Sequence, residues 1–172
     1  MSKKIEVGIM MGSDADIEVM GESSKVLAEY GVGYEMLVAS PHRSPKRTML
    51  YATSAEKRGI KVLICGSGHA AHLAGVVAAH TTLPVIGVPI DSSSLKGLDS
   101  ILSTVQMPGG VPVATMAIGK AGAKNAGIFA AEILAVSNPS LRKKLQKNRE
   151  DMEQQVVEKD KKIGRASCRE RV

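Results

Sequence analysis

Short, nearly unbroken apolar runs recur along the chain and alternate with longer stretches that mix apolar and polar residues at helical spacing. Five runs stand out: IEVGIMM at 5–11, GYEMLVA at 33–39, KVLICG at 61–66, PVIGV at 84–88 and VPVATMAI at 111–118. Runs of this length with little polar alternation predict strands covered on both faces, the pattern of a parallel sheet. Between them, 17–30 and 45–58 predict surface helices, the second opened by Pro45 and followed by Gly59. Residues 70–80 and 122–136 are small and apolar almost throughout, which predicts helices packed closely on all sides.

Strands alternating with helices predict an α/β fold, a three-layer αβα sandwich with a mostly parallel sheet of flavodoxin or Rossmann type. The expected division is an α/β domain over 1–137, a charged helix over 138–162 and a tail over 163–172. Asn138 and Pro139 form an N-cap and N1 pair for that helix, whose Leu141, Leu145, Met152 and Val156 make one narrow apolar stripe. Such a stripe suits a solvated terminal helix or one lying across a neighbouring subunit. The tail, IGRASCRERV, resembles a sequencing adapter translated in one frame and is set aside as non-native.

Composition narrows the class. The 172 residues are 44% hydrophobic but only 2% aromatic, with no Trp, so the core is aliphatic and stacking platforms for single-stranded nucleic acid are absent. The net charge of +6 is unevenly placed: residues 1–139 hold 12 Lys/Arg against 11 Asp/Glu, and 140–172 hold 11 against 6. A body near neutrality has no phosphate-tracking surface, so a nucleic-acid partner is not expected. Cys65 and Cys168 are far apart and form no disulfide framework, and no apolar stretch has the length of a membrane span. A cytoplasmic protein without a membrane partner is expected.

In an open parallel sheet, ligands bind beyond the carboxyl ends of the strands, so the segments after the first three strands carry the candidate chemistry. The first is GSDAD at 12–16. Gly12 and Ser13 lead into a helix start that favours a phosphate, whereas Asp16 would repel one and suits ribose hydroxyls, or else is a plain helix cap. The second is SPHRSP at 40–45. Ser40 and Arg43 form a donor pair for phosphate, and His42 is of the one residue type that exchanges protons near neutral pH. The third is GSGHAAHLAG at 66–75, where Gly68, Ala70 and Ala71 let a planar ligand approach the backbone. Its spacing is not the dinucleotide fingerprint, and His69, His72 and Cys65 match no common zinc pattern, so neither a nicotinamide cofactor nor a metal is expected.

Taken together, MGSDAD, SPHRSP, GSGHAAHLAG, GVP at 87–89, GLDS at 97–100 and VQMPGGVPVATMAI at 105–118 resemble the N5-carboxyaminoimidazole ribonucleotide mutase family of purine biosynthesis. The likeness covers about residues 5–136. Related carboxylases typically have Ala-His-Lys in the second loop and lack the AAHL segment, whereas here Arg43 follows His42 and AAHL is present. The resemblance implies an isomerase that moves a carboxylate from the exocyclic nitrogen of the imidazole to ring carbon C4, without a cofactor, as a homo-octamer. It implies a small ribonucleotide as substrate and an ATP-dependent carboxylating synthetase as functional companion. By position, Ser13, Ser40 and Arg43 would hold the phosphate, Asp16 the ribose, and His42 would shuttle the proton. Gly68, Ala70 and His72 would lie in the segment closing over the base. A carboxylase using free CO2 and a silent nucleotide-binding homologue are the rival readings. Three departures from the family pattern bear on this reading: Pro41 for alanine, Ala74 for proline and His69 for glycine.

Overall fold

The structure is a computed structural model that describes residues 4–169, with side chains described through residue 163. The chain divides into two compact units, Met1–Leu134 and Ala135–Val172. The first carries five parallel strands, β1 (Ile5–Met11), β2 (Gly33–Val38), β3 (Val62–Gly68), β4 (Val85–Ile90) and β5 (Ala114–Thr115), in the order β2-β1-β3-β4-β5. This is a doubly wound sheet of flavodoxin type, in which the strand order reverses next to β1. Helices α1 (Ile17–Tyr30), α2 (Pro45–Ala55), α3 (Leu73–Ala78), α4 (Leu98–Val105) and α5 (Gly119–Ala135) complete it.

The first strand and first helix match the apolar pattern residue for residue. The fifth run does not: of 111–118 only Ala114–Thr115 pair with β4, because the edge strand has a neighbour on one side only and Pro112 cannot donate to a ladder. Helix α3 spans Leu73–Ala78 rather than 70–80, and β3 runs on to Gly68. Four residues remain between them, of which His69 and Ala70 line the cavity described below. Helix α4 carries an apolar face within a loop-like sequence and was not expected.

Two faces of the sheet are covered. On one, Met10, Leu63, Cys65 and Val85 pack with Ala52, Ala55, Leu73, Ala74 and Val77 from α2 and α3. On the same face Thr104 of α4 lies against Gly87, where an added Cβ would stand 2.6 Å from its Cγ2. On the other face α1 and α5 meet through small residues. Ala123, Ala126, Ala130 and Ala131 are wholly buried, Ser23 Oγ donates to the Ala123 carbonyl at 2.6 Å, and Gly127 fits against the α1 backbone. Burial pushes the Cys65 thiol far up its titration range, which leaves it a packing residue and not a nucleophile.

The second unit holds α6 (Pro139–Arg169), a single helix. Asn138 Oδ1 accepts the Leu141 N–H at 3.1 Å, so the capping pair acts as its sequence predicts. Met152 and Val156 are exposed. Residues 170–172 of the expected tail lie outside the described residues, as do the side chains of 164–169. Among the described residues no helix is long and apolar enough to cross a membrane.

The α1–α5 contact generates a prediction with a definite sign. A Cβ on Gly127 would sit 2.8 Å from the Ser23 carbonyl oxygen and 3.0 Å from Val26 Cβ. Gly127→Ala should therefore destabilise the fold by about 1–3 kcal/mol through overpacking, despite alanine's better helix propensity. Thermal unfolding checks this: a raised Tm would mean that α1 and α5 are not in tight contact.

Candidate active site

All four loops at the carboxyl edge of β1, β2, β3 and β4 open onto one cavity of about 310 Å³. The parallel arrangement brings them there, since every strand in this sheet ends on the same side.

The first wall is Gly12 to Asp16. Ser13 caps a 3₁₀ turn at Asp14–Asp16 that leads into α1, with its Oγ accepting the Ala15 N–H at 3.3 Å. Asp16 Oδ2 accepts the Ser13 N–H at 3.1 Å, completing a capping box. Asp16 is thus a cap, as one reading of the sequence had it, and it also lines the cavity while only 5% exposed. Its Oδ1 takes no protein hydrogen bond, yet every fully buried side-chain polar atom among the described residues has a partner, so Oδ1 is reached from the cavity. Burial is the main reason its carboxyl titrates above the ordinary value, and the Ser13 N–H and the positive fields of His69 and Arg43 offset this only in part.

The second wall is a tight turn from Ser40 to Ser44. The Ser44 N–H donates to the Ser40 carbonyl at 2.8 Å, Ser44 Oγ accepts the Ser40 N–H at 3.0 Å, and Ser40 Oγ accepts the Arg43 N–H at 3.1 Å. Accepting that bond leaves the Ser40 hydroxyl proton free for a ligand. Arg43 reaches across to the first wall, donating from Nη2 to the Gly12 carbonyl at 3.0 Å. His42 stands exposed at the rim, its Nε2 2.9 Å from His72 Nδ1, with the two rings edge to face at 5.0 Å.

The third wall is Ser67 to Ala70, and Ser92 from the segment after β4 forms the fourth. Seven of the eight residues expected from sequence, Ser13, Asp16, Ser40, His42, Arg43, Gly68 and Ala70, line the cavity. His72 does not; it touches the site only through His42. Sequence reasoning missed Ser67 and Ser92 as wall residues. The signal for Ser92 was its place after the fourth strand in DSSS at 91–94, a polar segment at the same sheet edge as the others. A Cβ on Gly68 would collide with Ser92 Oγ, so any larger residue there would displace the Ser92 side chain. Ser44 was missed because it holds the turn instead of facing the ligand space.

The arrangement offers hydroxyl, backbone N–H and guanidinium donors at one end, a carboxylate acceptor beside them, and an imidazole pair at the rim. That set suits a phosphorylated sugar with a proton-exchanging group attached.

Comparison with known proteins agrees with this chemistry. A protein of Thermotoga maritima called N5-carboxyaminoimidazole ribonucleotide mutase is 51% identical over 164 residues, covering 95% of each chain. The Bacillus subtilis protein of that name is 56% identical over 152 residues, covering 88% of this chain and 94% of its own. The crystal structure of Treponema denticola PurE superposes with a TM-score of 0.83 at 26% identity, covering 91% of this chain and 96% of that one. Residues 6–155 match the family described as AIR carboxylase, and with half the sequence shared end to end with its mutases, the chain belongs to that family.

Proposed function

We propose that the protein is an N5-carboxyaminoimidazole ribonucleotide mutase, an isomerase of purine biosynthesis that moves the carboxylate from the exocyclic nitrogen to C4. The observation that carries the reading is the His42–His72 pair at the rim of a cavity that Arg43, Ser13 and Ser40 also line. Arg43 and the hydroxyls of Ser40 and Ser13 hold the phosphate, the Ser13 hydroxyl exchanging its bond to Asp14 Oδ1 for one to the ligand. Asp16 Oδ1 accepts from the ribose. The backbone of Gly68 to Ala70 admits the flat base.

The reaction needs one proton handled twice. His42 gives a proton to the exocyclic nitrogen as its bond to the carboxyl carbon breaks, which releases CO2 and the neutral aminoimidazole. C4 then attacks CO2, a carbon–carbon bond forms, and His42 takes the proton from C4. Proton and charge balance over the cycle, and no cofactor is invoked. Bonded to His72, His42 has a second imidazole with which to share that proton between the half-reactions. A cavity this small keeps CO2 beside the ring, so recapture is favoured over escape.

The reading extends to a cytoplasmic homo-octamer fed by an ATP-dependent synthetase. Support for assembly comes from α4, whose Leu98, Leu102 and Val105 are each about half exposed at helical spacing, beside exposed Leu95.

Two experiments test the assignment. His42→Asn should lower kcat by about 10²- to 10⁴-fold while aminoimidazole ribonucleotide still binds. With the parent protein, conversion of the carbamate substrate should not depend on added bicarbonate, and bicarbonate-dependent turnover of the free aminoimidazole would favour the carboxylase reading.

A third test concerns Asp16. Its folded carboxyl holds a proton more tightly than the unfolded chain does, so ionising it costs stability as pH rises from the ordinary value of 3.8 through the raised one. Asp16→Asn keeps an acceptor for the Ser13 N–H and removes that cost. Its Tm at pH 7 should equal or exceed the parent's, while KM rises about tenfold through loss of a charged hydrogen bond. A lower Tm with unchanged KM would leave Asp16 a cap alone.

A further inference from the structure

His69 stands where the family pattern has glycine, and its backbone explains the glycine: φ is 55°, in the left-handed region that glycine occupies freely and a residue with a Cβ does not. Only one other non-glycine among the described residues, Lys96, has a positive φ. A side chain kept at a position that disfavours one calls for a reason in what that side chain touches.

Its contacts are specific. Ser92 Oγ lies 3.1 Å from His69 Nδ1, and both residues line the cavity. Nε2 has no protein partner among the described residues. When the Ser92 hydroxyl donates to Nδ1, the ring proton sits on Nε2, and when the ring is charged Nε2 carries a proton as well. In both of these states Nε2 is a donor offered to a ligand, whereas in the tautomer with its proton on Nδ1 it is an acceptor. His69 shares the cavity with Asp16, although no direct ion pair joins the two.

A donor and a buried acceptor that line one cavity without touching define what fits between them. A hydroxyl can accept from one and donate to the other. A second carboxylate cannot, because Asp16 would repel it.

We propose that His69, oriented by Ser92, is a second ribose-binding residue, whose Nε2–H donates to a sugar hydroxyl that in turn donates to Asp16 Oδ1. The proposal rests on the mutase reading for the identity of the ligand and deepens it. It gives this chain a donor–acceptor clamp on the ribose that a glycine at this position cannot provide. It also places the imidazole with the sugar and leaves the space for CO2 clear.

The test is a binding cycle that does not require turnover. Calorimetry would compare 5-aminoimidazole ribonucleotide with its 2′-deoxy and 3′-deoxy counterparts on the parent, His69→Gly and His69→Gln. His69→Gly should weaken binding of the full nucleotide about three- to tenfold, the worth of one hydrogen bond. The penalty for deleting one of the two hydroxyls should shrink by at least about threefold in that variant. His69→Gln, which retains a donor, should recover part of both effects. His69→Gly should also unfold at a Tm no lower than the parent's, because glycine relieves the backbone, and a merely structural His69 would lower it.

In turnover, His69→Gly should raise KM far more than it lowers kcat. A fall in kcat with label from ¹³C-bicarbonate entering the product, and an unchanged hydroxyl penalty, would place His69 on the migrating carboxylate and overturn the proposal. If no preparation turns over but the binding cycle holds, the mutase reading fails and the ribose clamp stands.

Discussion

The site is held together at Gly12. Its N–H donates to the Gly66 carbonyl at 3.1 Å, which ties the first loop to the third, and its own carbonyl accepts Arg43 at 3.0 Å, which ties in the second. Three loops well separated along the chain thus share the backbone of one residue. The crossing leaves little room, for a Cβ on Gly12 would stand 3.1 Å from Ser67 Oγ. Backbone groups buried at such a junction must find partners, and here they find them in one another.

That economy recurs in the side chains. Asp16 spends one carboxylate oxygen on the Ser13 N–H and keeps the other for the cavity; Ser40 accepts from Arg43 and keeps its proton. Each residue holds its loop and faces the ligand at once, which preorganises the donors before any ligand arrives. The burial that positions Asp16 also makes its charge costly, offset in part by the Ser13 N–H and by His69 and Arg43. A carboxylate placed so is poised to gain from a hydroxyl donor.

The scaffold behind the site is built by close approach of small residues instead of by large aromatic anchors. Alanines of α5 and Gly127 let it press against α1, and Gly66 gives Met20 its place on β3. An aliphatic core with flexible methionines tolerates this because each contact is short and the packing continuous. The strands therefore end at a well-defined edge, and the loops begin from fixed points.

Local pattern was enough to specify much of this. The apolar runs marked β1 and β2, the helical spacing marked α1 and α2, Asn138–Pro139 marked the start of α6, and the positions of three loops at strand ends identified seven cavity residues. These are properties of short segments, and periodicity reports them because burial follows the repeat of each element. What the chain alone left open were matters of non-local contact. Tertiary structure decided that β5 shrinks to two residues, that α4 forms from a loop-like sequence, and that Ser92 completes the cavity while His72 stops one contact short of it. It also decided that His69 takes a left-handed backbone and reaches Ser92 and the field of Asp16. Residues 16, 69 and 92 are far apart along the chain, and only the meeting of parallel strand ends puts them around one ligand space.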